Sequence, residues 1–201
     1  MHKILNIAHR GAKAYAPENT LIAFQKAIEI GVDGIELDVH LCKTGETIVI
    51  HDFTVDGTTN GKGFVKKLSL HELKTLRIND EFEIPTLTEV FELVNQKCLI
   101  VIELKGEETA KPVMELIEYY VAKNSWKYKY FLVSSFNWNA LKEIHMLNPE
   151  IPIGVLTEYD LDLAFSFAKS IEAQSIHSYY HLLSKEMTEK MQNENFEVFA
   201  W

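Results

Sequence analysis

Four separate segments of this 201-residue sequence end in side chains that can bind metal ions or move protons. Carboxylates are hard oxygen ligands that suit Mg²⁺ or Ca²⁺ better than Zn²⁺. Imidazoles exchange protons near neutral pH because their unperturbed pKa is roughly 6.5. If the fold brings the segments together, they could perform metal-assisted acid–base chemistry. The residues are, in chain order, His9 and Arg10, Glu36 and Asp38, His51, and Glu103 and Lys105.

The spacing within the acidic segments places their side chains together. Alternate residues of a β-strand point to the same side, so Glu36 projects with Asp38, and Glu103 projects with Lys105. The neighbours of the first pair are apolar, which predicts a buried strand in which uncompensated carboxylates would be costly. A bound cation would offset that cost. Taken alone, each residue also has an ordinary explanation as a helix cap, a solvated charge or a packed histidine.

The surrounding sequence alternates between strand and helix patterns. Short runs rich in Ile, Val, Leu and Phe predict strands buried on both faces. Helical patterns of about ten residues separate most of them, which predicts βαβ units and a parallel sheet. In a parallel barrel the carboxyl ends of the strands carry the active site, where all of these residues would lie. The predicted strands span residues 4–8, 34–39, 98–104, 130–135, 152–156, 174–179 and 196–201, and the predicted helices span residues 19–30, 86–94, 110–123, 138–146, 161–170 and 184–193.

The interval between the second and third predicted strands is longer than the others, and we interpret residues 40–84 as an insertion. It begins with a predicted hairpin that has a two-residue turn at Thr44-Gly45. On this register His40 projects above the barrel, and we expect it to be dispensable. The pairs predicted to lie opposite each other are Asp38 with His51 and His40 with Val49. A loop over residues 58–63 and a short helix over residues 69–76 are predicted to follow.

Composition excludes several functional classes. The chain has 20 basic and 29 acidic residues and a formal charge of −9, which argues against nucleic acid as a partner. Cys42 and Cys98 lack metal-site spacing and are predicted to be buried free thiols. No apolar run approaches the roughly 18 residues that span a bilayer, and no signal peptide is visible. We therefore expect a soluble, cytoplasmic protein without stable membrane insertion.

Nine short motifs occur in the order and spacing of one known family, and the sequence resembles the glycerophosphodiester phosphodiesterase family over essentially its whole length. The resemblance implies an α/β fold, a TIM-type (β/α)₈ barrel. It also implies that residues 1–201 form a single domain, with residues 40–84 as the family's insertion between strand 2 and helix 2. The motifs are AHRG, APENT, GIELDVHL, IVIHD, TTNGKG, IPTL, IELK, SSFN and FAW.

The resemblance also implies a role for each candidate residue. A divalent metal, Mg²⁺ or Ca²⁺, would be held by three carboxylates. Two histidines would serve as general acid and base, and by analogy with related phosphodiesterases the first is the base and the second the acid. Two cationic residues would join the catalytic group and contact phosphate, and a Trp would line the glycerol or headgroup site. These residues are Glu36, Asp38 and Glu103, then His9 and His51, then Arg10 and Lys105, and then Trp201, with Glu18 and Asn19 bracing the first loop.

The activity implied by the resemblance is metal-dependent hydrolysis of small glycerophosphodiesters to an alcohol and glycerol 3-phosphate. Two alternatives stay open at this point. A lipid phosphodiesterase of phospholipase D or phosphoinositide type would require an apolar rim or a cationic surface. A non-catalytic phosphodiester-binding module would not require the complete set of histidines and carboxylates.

The sequence departs from the family pattern at its carboxyl end. Family members usually continue past the AW motif into a loop, a helix and a last strand, whereas this sequence stops at Trp201. Seven strands are predicted, so we expect the last βα unit to be missing and the sequence to be a fragment or truncated. The first and seventh predicted strands would then have unpaired, apolar edges.

Overall fold

Residues 4–201, which the computed structural model describes, form a curved sheet of eight strands flanked by helices. Seven strands are parallel in the order β1-β2-β4-β5-β6-β7-β8, and β3 pairs antiparallel with β2. The α/β fold of the TIM type is therefore present. The strands are β1 (Ile7–His9), β2 (Gly34–Leu41), β3 (Thr47–Val49), β4 (Leu99–Leu104), β5 (Phe131–Ser135), β6 (Ile153–Thr157), β7 (Ser175–Ser178) and β8 (Glu197–Ala200).

Seven α-helices in the described part of the chain connect these strands. Each predicted helix is confirmed to within two residues, and the differences lie mostly at the N-caps. Thr20, Thr86 and Ser184 were placed inside helices, but their side chains instead accept hydrogen bonds from the first turn. None of these helices is long and apolar enough to cross a membrane. They are α1 (Leu21–Ile30), α2 (Leu70–Thr75), α3 (Leu87–Val94), α4 (Ala110–Lys123), α5 (Trp138–Leu147), α6 (Leu161–Ser170) and α7 (Lys185–Asn193).

The main core lies between the outer face of the sheet and the helices. Apolar residues of β2 alternate with its acidic residues and are fully buried. They belong to the same core as Phe91 of α3, whose ring stacks on Trp126 and contacts Phe131. Because the apolar side chains face outward to the helices, the acidic ones face the interior of the curved sheet. The apolar residues of β2 in this core are Ile35, Leu37 and Val39.

The predicted hairpin is present, but its predicted register is wrong by one residue. His40 pairs with Ile48 instead of Val49. The Cys42 N–H donates to the Glu46 carbonyl at 3.0 Å, so the loop has three residues instead of two. Gly45 ends that loop with φ of 98°, a left-handed conformation typical of three-residue hairpin loops.

The rest of the insertion has its own small core. The buried side chains of Ile48 and Ile50 form one cluster with Val65, Leu73 and Ile84. The predicted short helix is present as α2 and begins at Ser69, which forms a capping box with Glu72. Cys42 is buried here and Cys98 in the main core, and both are free thiols, as predicted.

The two ends of the sheet face each other across a cleft of about 810 Å³. No hydrogen-bonded register joins β1 to β8 within residues 4–201. Strand β1 begins later than predicted, and Ile4 lies before it with 92% of its surface exposed at the cleft. Unpaired strand edges beside exposed apolar side chains favour association between chains.

We therefore expect the 201-residue polypeptide to self-associate through this cleft. Replacing Ile4 with Lys should shift it toward the monomer because a charge at the cleft would have to be desolvated. Ile30→Lys is the matched control, since Ile30 is an exposed isoleucine on α1, 51% exposed. Sedimentation velocity over a range of concentrations measures the effect. A wild-type chain that stays monomeric at all concentrations would contradict this expectation.

Candidate active site

Three carboxylates converge at the carboxyl ends of β2 and β4. Parallel pairing puts Asp38 directly beside Glu103, and Glu36 faces the same interior. One oxygen from each of the three lies within 4.8 Å of the others. Asp38 and Glu103 are buried, and the Glu36 side chain is 14% exposed. The predicted acidic group therefore exists as a cluster.

Close approach in a poorly solvated interior disfavours the charged forms of these acids. Burial, and then the charge of Asp38, raises the pKa of Glu36 well above its usual value. The same two causes raise the pKa of Glu103. Lys105 opposes this effect, with its Nζ 3.0 Å from Glu103 Oε1 and 3.9 Å from Asp38 Oδ1. Arg10 Nε lies 3.4 Å from Asp38 Oδ2. Even with both cations nearby, the cluster retains unfavourable negative charge.

The oxygen atoms of the acidic cluster suit a hard metal cation, and Asp38 Oδ1 is the clearest example. Within the described residues, Asp38 Oδ1 is buried and accepts no hydrogen bond. A buried carboxylate oxygen without a hydrogen-bond partner is costly and requires an explanation. All three clustered groups offer oxygen donors, which suit Mg²⁺ or Ca²⁺. The residues present therefore fit a divalent metal ion.

The loop after β1 is held against this cluster by several contacts. Arg10 adopts a left-handed backbone conformation, and its N–H donates to Glu36 Oε2 at 2.9 Å. Its guanidinium donates to Glu18 at 2.8 Å, and the Asn19 amide donates to Asp38 Oδ2 at 2.9 Å. Gly11 follows with φ of 77°, and a Cβ there would lie 2.9 Å from α1. Glu18 and Asn19 thus contact the first loop, where the resemblance placed them.

The two histidines near the cluster have different neighbours. His9 Nε2 lies 3.9 Å from Glu36 Oε2, and its Nδ1 lies 2.9 Å from Lys13 Nζ. Burial, together with the positive charges of Lys13 and Arg10, lowers the pKa of His9 to about 4. His51 instead has its Nδ1 2.8 Å from the carboxylate of Asp52.

The predicted position of His51 opposite Asp38 is wrong, because the Ile50 N–H donates to the Asp38 carbonyl at 3.0 Å. His51 lies one residue beyond that contact. Its side chain still lines the same cavity as His9 and Glu36. His51 therefore lies near the acidic cluster because it follows the end of the hairpin, and not because it pairs directly with Asp38.

A cavity of about 430 Å³ adjoins the acidic cluster. Lys105 Nζ lies 5.8 Å from the centre of the Phe136 ring, which meets the Trp201 ring edge-to-face at 5.6 Å. The Trp201 indole N–H donates to the His177 carbonyl at 3.3 Å. Both histidines, the clustered acids Glu36 and Glu103, and Trp201 line this cavity, so the structure brings the predicted residues to one place.

Much of the far wall of the cavity has no role in the sequence analysis. It includes buried His177, which the sequence places at the edge of the pocket without assigning it chemistry. Its Nε2 lies 2.9 Å from Ser175 Oγ, and its ring stacks on Phe199 at 4.4 Å. Burial lowers the pKa of His177 to about 3. A Cβ at Gly154 would lie 2.5 Å from Nε2, so only glycine leaves room for this ring. The sequence signal that could have identified these residues is the alternation of side-chain direction, which continues for one or two residues beyond the end of a strand. The missed cavity residues are Ser134, Phe136, Leu156, Glu158 and Phe199.

Solved structures resemble this fold over almost the whole chain. A phosphodiesterase from Oleispira antarctica, solved in complex with the product sn-glycerol-3-phosphate, superimposes with a TM-score of 0.86 at 29% identity, covering 97% of this chain and 83% of that chain. A glycerophosphodiester phosphodiesterase from Thermotoga maritima superimposes with a TM-score of 0.83 at 30% identity, covering 100% and 87%. The fold is that of phosphodiesterases of known structure.

Sequence comparison defines the family. Residues 9–201 match the model of the glycerophosphoryl diester phosphodiesterase family. A glycerophosphodiester phosphodiesterase from Caldanaerobacter subterraneus subsp. tengcongensis is 40% identical over 210 residues, which cover 99% of this chain and 85% of that protein. The chain belongs to the glycerophosphodiester phosphodiesterase family, and it is an enzyme of that class.

The acidic cluster predicts a conflict between stability and metal binding. In the metal-free protein, Glu36→Gln should raise the unfolding temperature because a carboxyl group with a raised pKa destabilises the fold above that pKa. Mg²⁺ or Ca²⁺ at 100 times its Kd should stabilise the wild type by about 2.7 kcal/mol, or about 5–10 °C for a chain of this size. Glu36→Gln should lose most of that increase.

Differential scanning calorimetry in EDTA and in each metal measures both effects. The exposed Glu143 on α5 supplies the matched control, Glu143→Gln, which should change neither value. A wild type that metal does not stabilise, or a Glu36→Gln variant with the full metal response, would count against the acidic cluster as a metal site.

Proposed function

We propose that this enzyme hydrolyses glycerophosphodiesters to an alcohol and glycerol 3-phosphate, using a divalent metal and two histidines. The supporting observation is that the three clustered carboxylates adjoin one cavity, which is lined by two of them together with the imidazoles of His9 and His51 and two cationic side chains. The relative from Oleispira antarctica, solved with sn-glycerol-3-phosphate, supports the substrate class. The residues are Glu36, Asp38 and Glu103 for the metal, His9 and His51 for proton transfer, and Arg10 and Lys105 for phosphate.

The metal and the cationic residues would neutralise the negative charge of the substrate. When bound, Mg²⁺ or Ca²⁺ would polarise a phosphoryl oxygen and offset the charge of the three carboxylates. Arg10 and Lys105 border the cavity and can contact phosphate oxygens as negative charge develops on them. Glu18 fixes the direction of the Arg10 guanidinium through a 2.8 Å hydrogen bond.

The neighbours of the two histidines suit different tasks. Asp52 accepts a hydrogen bond from His51 Nδ1, which turns the ring and leaves Nε2 to exchange protons. His51 is therefore suited to deliver a proton to the leaving oxygen. His9 has cationic neighbours and suits the uncharged role, in which it accepts a proton from water or a glycerol hydroxyl. For His9 to accept at Nε2, exposed Lys13 must release Nδ1 so that this nitrogen carries its own hydrogen.

The rest of the cavity and of the chain fits a small-molecule substrate. Trp201 and Phe136 present aromatic surface to a glycerol or headgroup. We further infer that residues 1–201 act as one domain in the cytoplasm and that the insertion, residues 40–84, serves chiefly to supply His51. The net charge of −9 does not favour an anionic membrane surface or nucleic acid as partner.

The direct test is release of glycerol 3-phosphate from glycerophosphocholine, glycerophosphoethanolamine, glycerophosphoglycerol and glycerophosphoinositol. We expect turnover of at least one of them, loss of turnover in EDTA and recovery with Mg²⁺ or Ca²⁺. Absence of turnover with every diester would leave the binding-module alternative. Full turnover after exhaustive chelation would exclude the metal-dependent mechanism.

Both histidines should be essential to turnover but not to metal binding. His9→Ala and His51→Ala should each lower kcat by at least about 10²-fold, because each handles a proton in the transition state. The increase in unfolding temperature with metal should persist in both variants. His71→Ala, at an exposed position on α2, is the control and should retain wild-type kcat. Wild-type kcat in either His9→Ala or His51→Ala would remove that residue from the mechanism.

A further inference from the structure

A second histidine supports His51 from within β2. His40 was expected to project above the barrel, but it is only 3% exposed. Its Nε2 lies 3.1 Å from the backbone carbonyl oxygen of His51. A carbonyl oxygen only accepts hydrogen bonds, so Nε2 must carry the hydrogen and donate it.

The ring of His40 occupies a closely fitted slot. The Phe53 ring meets it in an edge-to-face arrangement, with the ring centres 4.9 Å apart and the planes at 75°. Gly106, directly after Lys105, also borders His40. A Cβ at Gly106 would lie 3.0 Å from His40 Cα and 3.1 Å from its Nδ1. The absence of a side chain at position 106 therefore leaves the space that the His40 ring uses.

The contact holds a segment of backbone that has few other restraints. His51 follows the end of β3, after the Ile50 N–H bonds to the Asp38 carbonyl. Within residues 4–201, the structure shows no other hydrogen bond to the His51 backbone than the one from His40. The next backbone hydrogen bond along the chain is at Phe53, whose carbonyl accepts from Val65. His40 is thus the main tether of the His51 main chain.

We propose that His40 is a positioning residue that fixes the His51 main chain, so that the His51 imidazole reaches the reacting oxygen. Two groups would then divide the work. His40 sets where the backbone of His51 lies, and Asp52 sets how its ring is turned. This inference rests on the proposed function, because it assigns His40 an effect on proton transfer by His51. A shift of about 1 Å in a catalytic group can lower the rate by about 10²-fold.

A matched pair of substitutions separates the hydrogen bond from simple filling of space. Gln and Met have similar length and shape, but only Gln carries an N–H group that can donate to the His51 carbonyl. We expect His40→Met to lower kcat at least about 10-fold, with KM changed less than about 3-fold. His40→Gln should recover most of the lost kcat.

A double-mutant cycle tests whether the effect passes through His51. In a His51→Ala background, His40→Met should cause no further loss of kcat, because the group it positions is absent. A His40 that merely supports the fold or the metal would lower kcat by the same factor in both backgrounds. That result would overturn the proposal, as would a His40→Gln variant as slow as His40→Met or a His40→Met variant with wild-type kcat.

Two further measurements keep the proposal testable if His40→Met does not fold. Gly106→Ala keeps the His40 side chain but crowds it, and it should lower kcat with little change in KM or in metal-induced stabilisation. Imidazole resonances of His51 in NMR spectra should shift in Gly106→Ala but not in His40→Gln. Unshifted His51 resonances in Gly106→Ala would overturn the proposal without any substrate. A wild type that cleaves no glycerophosphodiester would overturn the proposed function and leave the NMR result to stand alone.

Discussion

The crowding of three carboxylates inside a curved sheet is the constraint on which the site depends. Their oxygens lie within 4.8 Å of one another where water is scarce, so each makes the charged form of the others less favourable. Much of the nearby architecture moderates that repulsion. Arg10 and Lys105 bring positive charge, and Asn19 donates a hydrogen bond to Asp38. Arg10, whose backbone is left-handed, also donates its N–H to Glu36.

Alternation along the strands lets one element provide both the destabilising acids and the packing that outweighs them. In β2 the odd-numbered residues from 35 to 39 enter the main core, while Glu36 and Asp38 face the interior. Burial of apolar surface stabilises by about 25 cal/mol per Å². Because each strand fixes both faces at once, a slip of one residue would bury the acids among the helices and expose the aliphatic side chains. The register of the parallel strands is therefore specified strongly by the same residues that form the site.

This explains how much was predictable from the sequence. Strands and helices with clear apolar periodicity were predicted to within a few residues. The acidic cluster was also predicted, because parallel strands end at a common edge and bring their last residues together. The hairpin register was not, because it depends on whether a loop contains two or three residues, and Gly45 is compatible with both. The buried position of His40 was therefore not predicted either. Phe136 and Glu158 were missed because they lie just beyond β5 and β6, where strand pairing no longer fixes the alternating direction of the side chains.

The active site thus has two parts that depend on different structural restraints. The acids belong to β2 and β4, and their relative position is set by parallel pairing over six residue pairs. His51 belongs to the insertion. It reaches the cavity through an antiparallel ladder of three residue pairs, the backbone hydrogen bond between Ile50 and Asp38, and one side-chain contact from His40. Fewer restraints allow larger local displacement, so a disturbance of the insertion should displace His51 before it displaces the clustered carboxylates. In the proposed mechanism, metal binding and proton transfer are therefore separable properties of one cavity, because different parts of the chain hold the groups responsible.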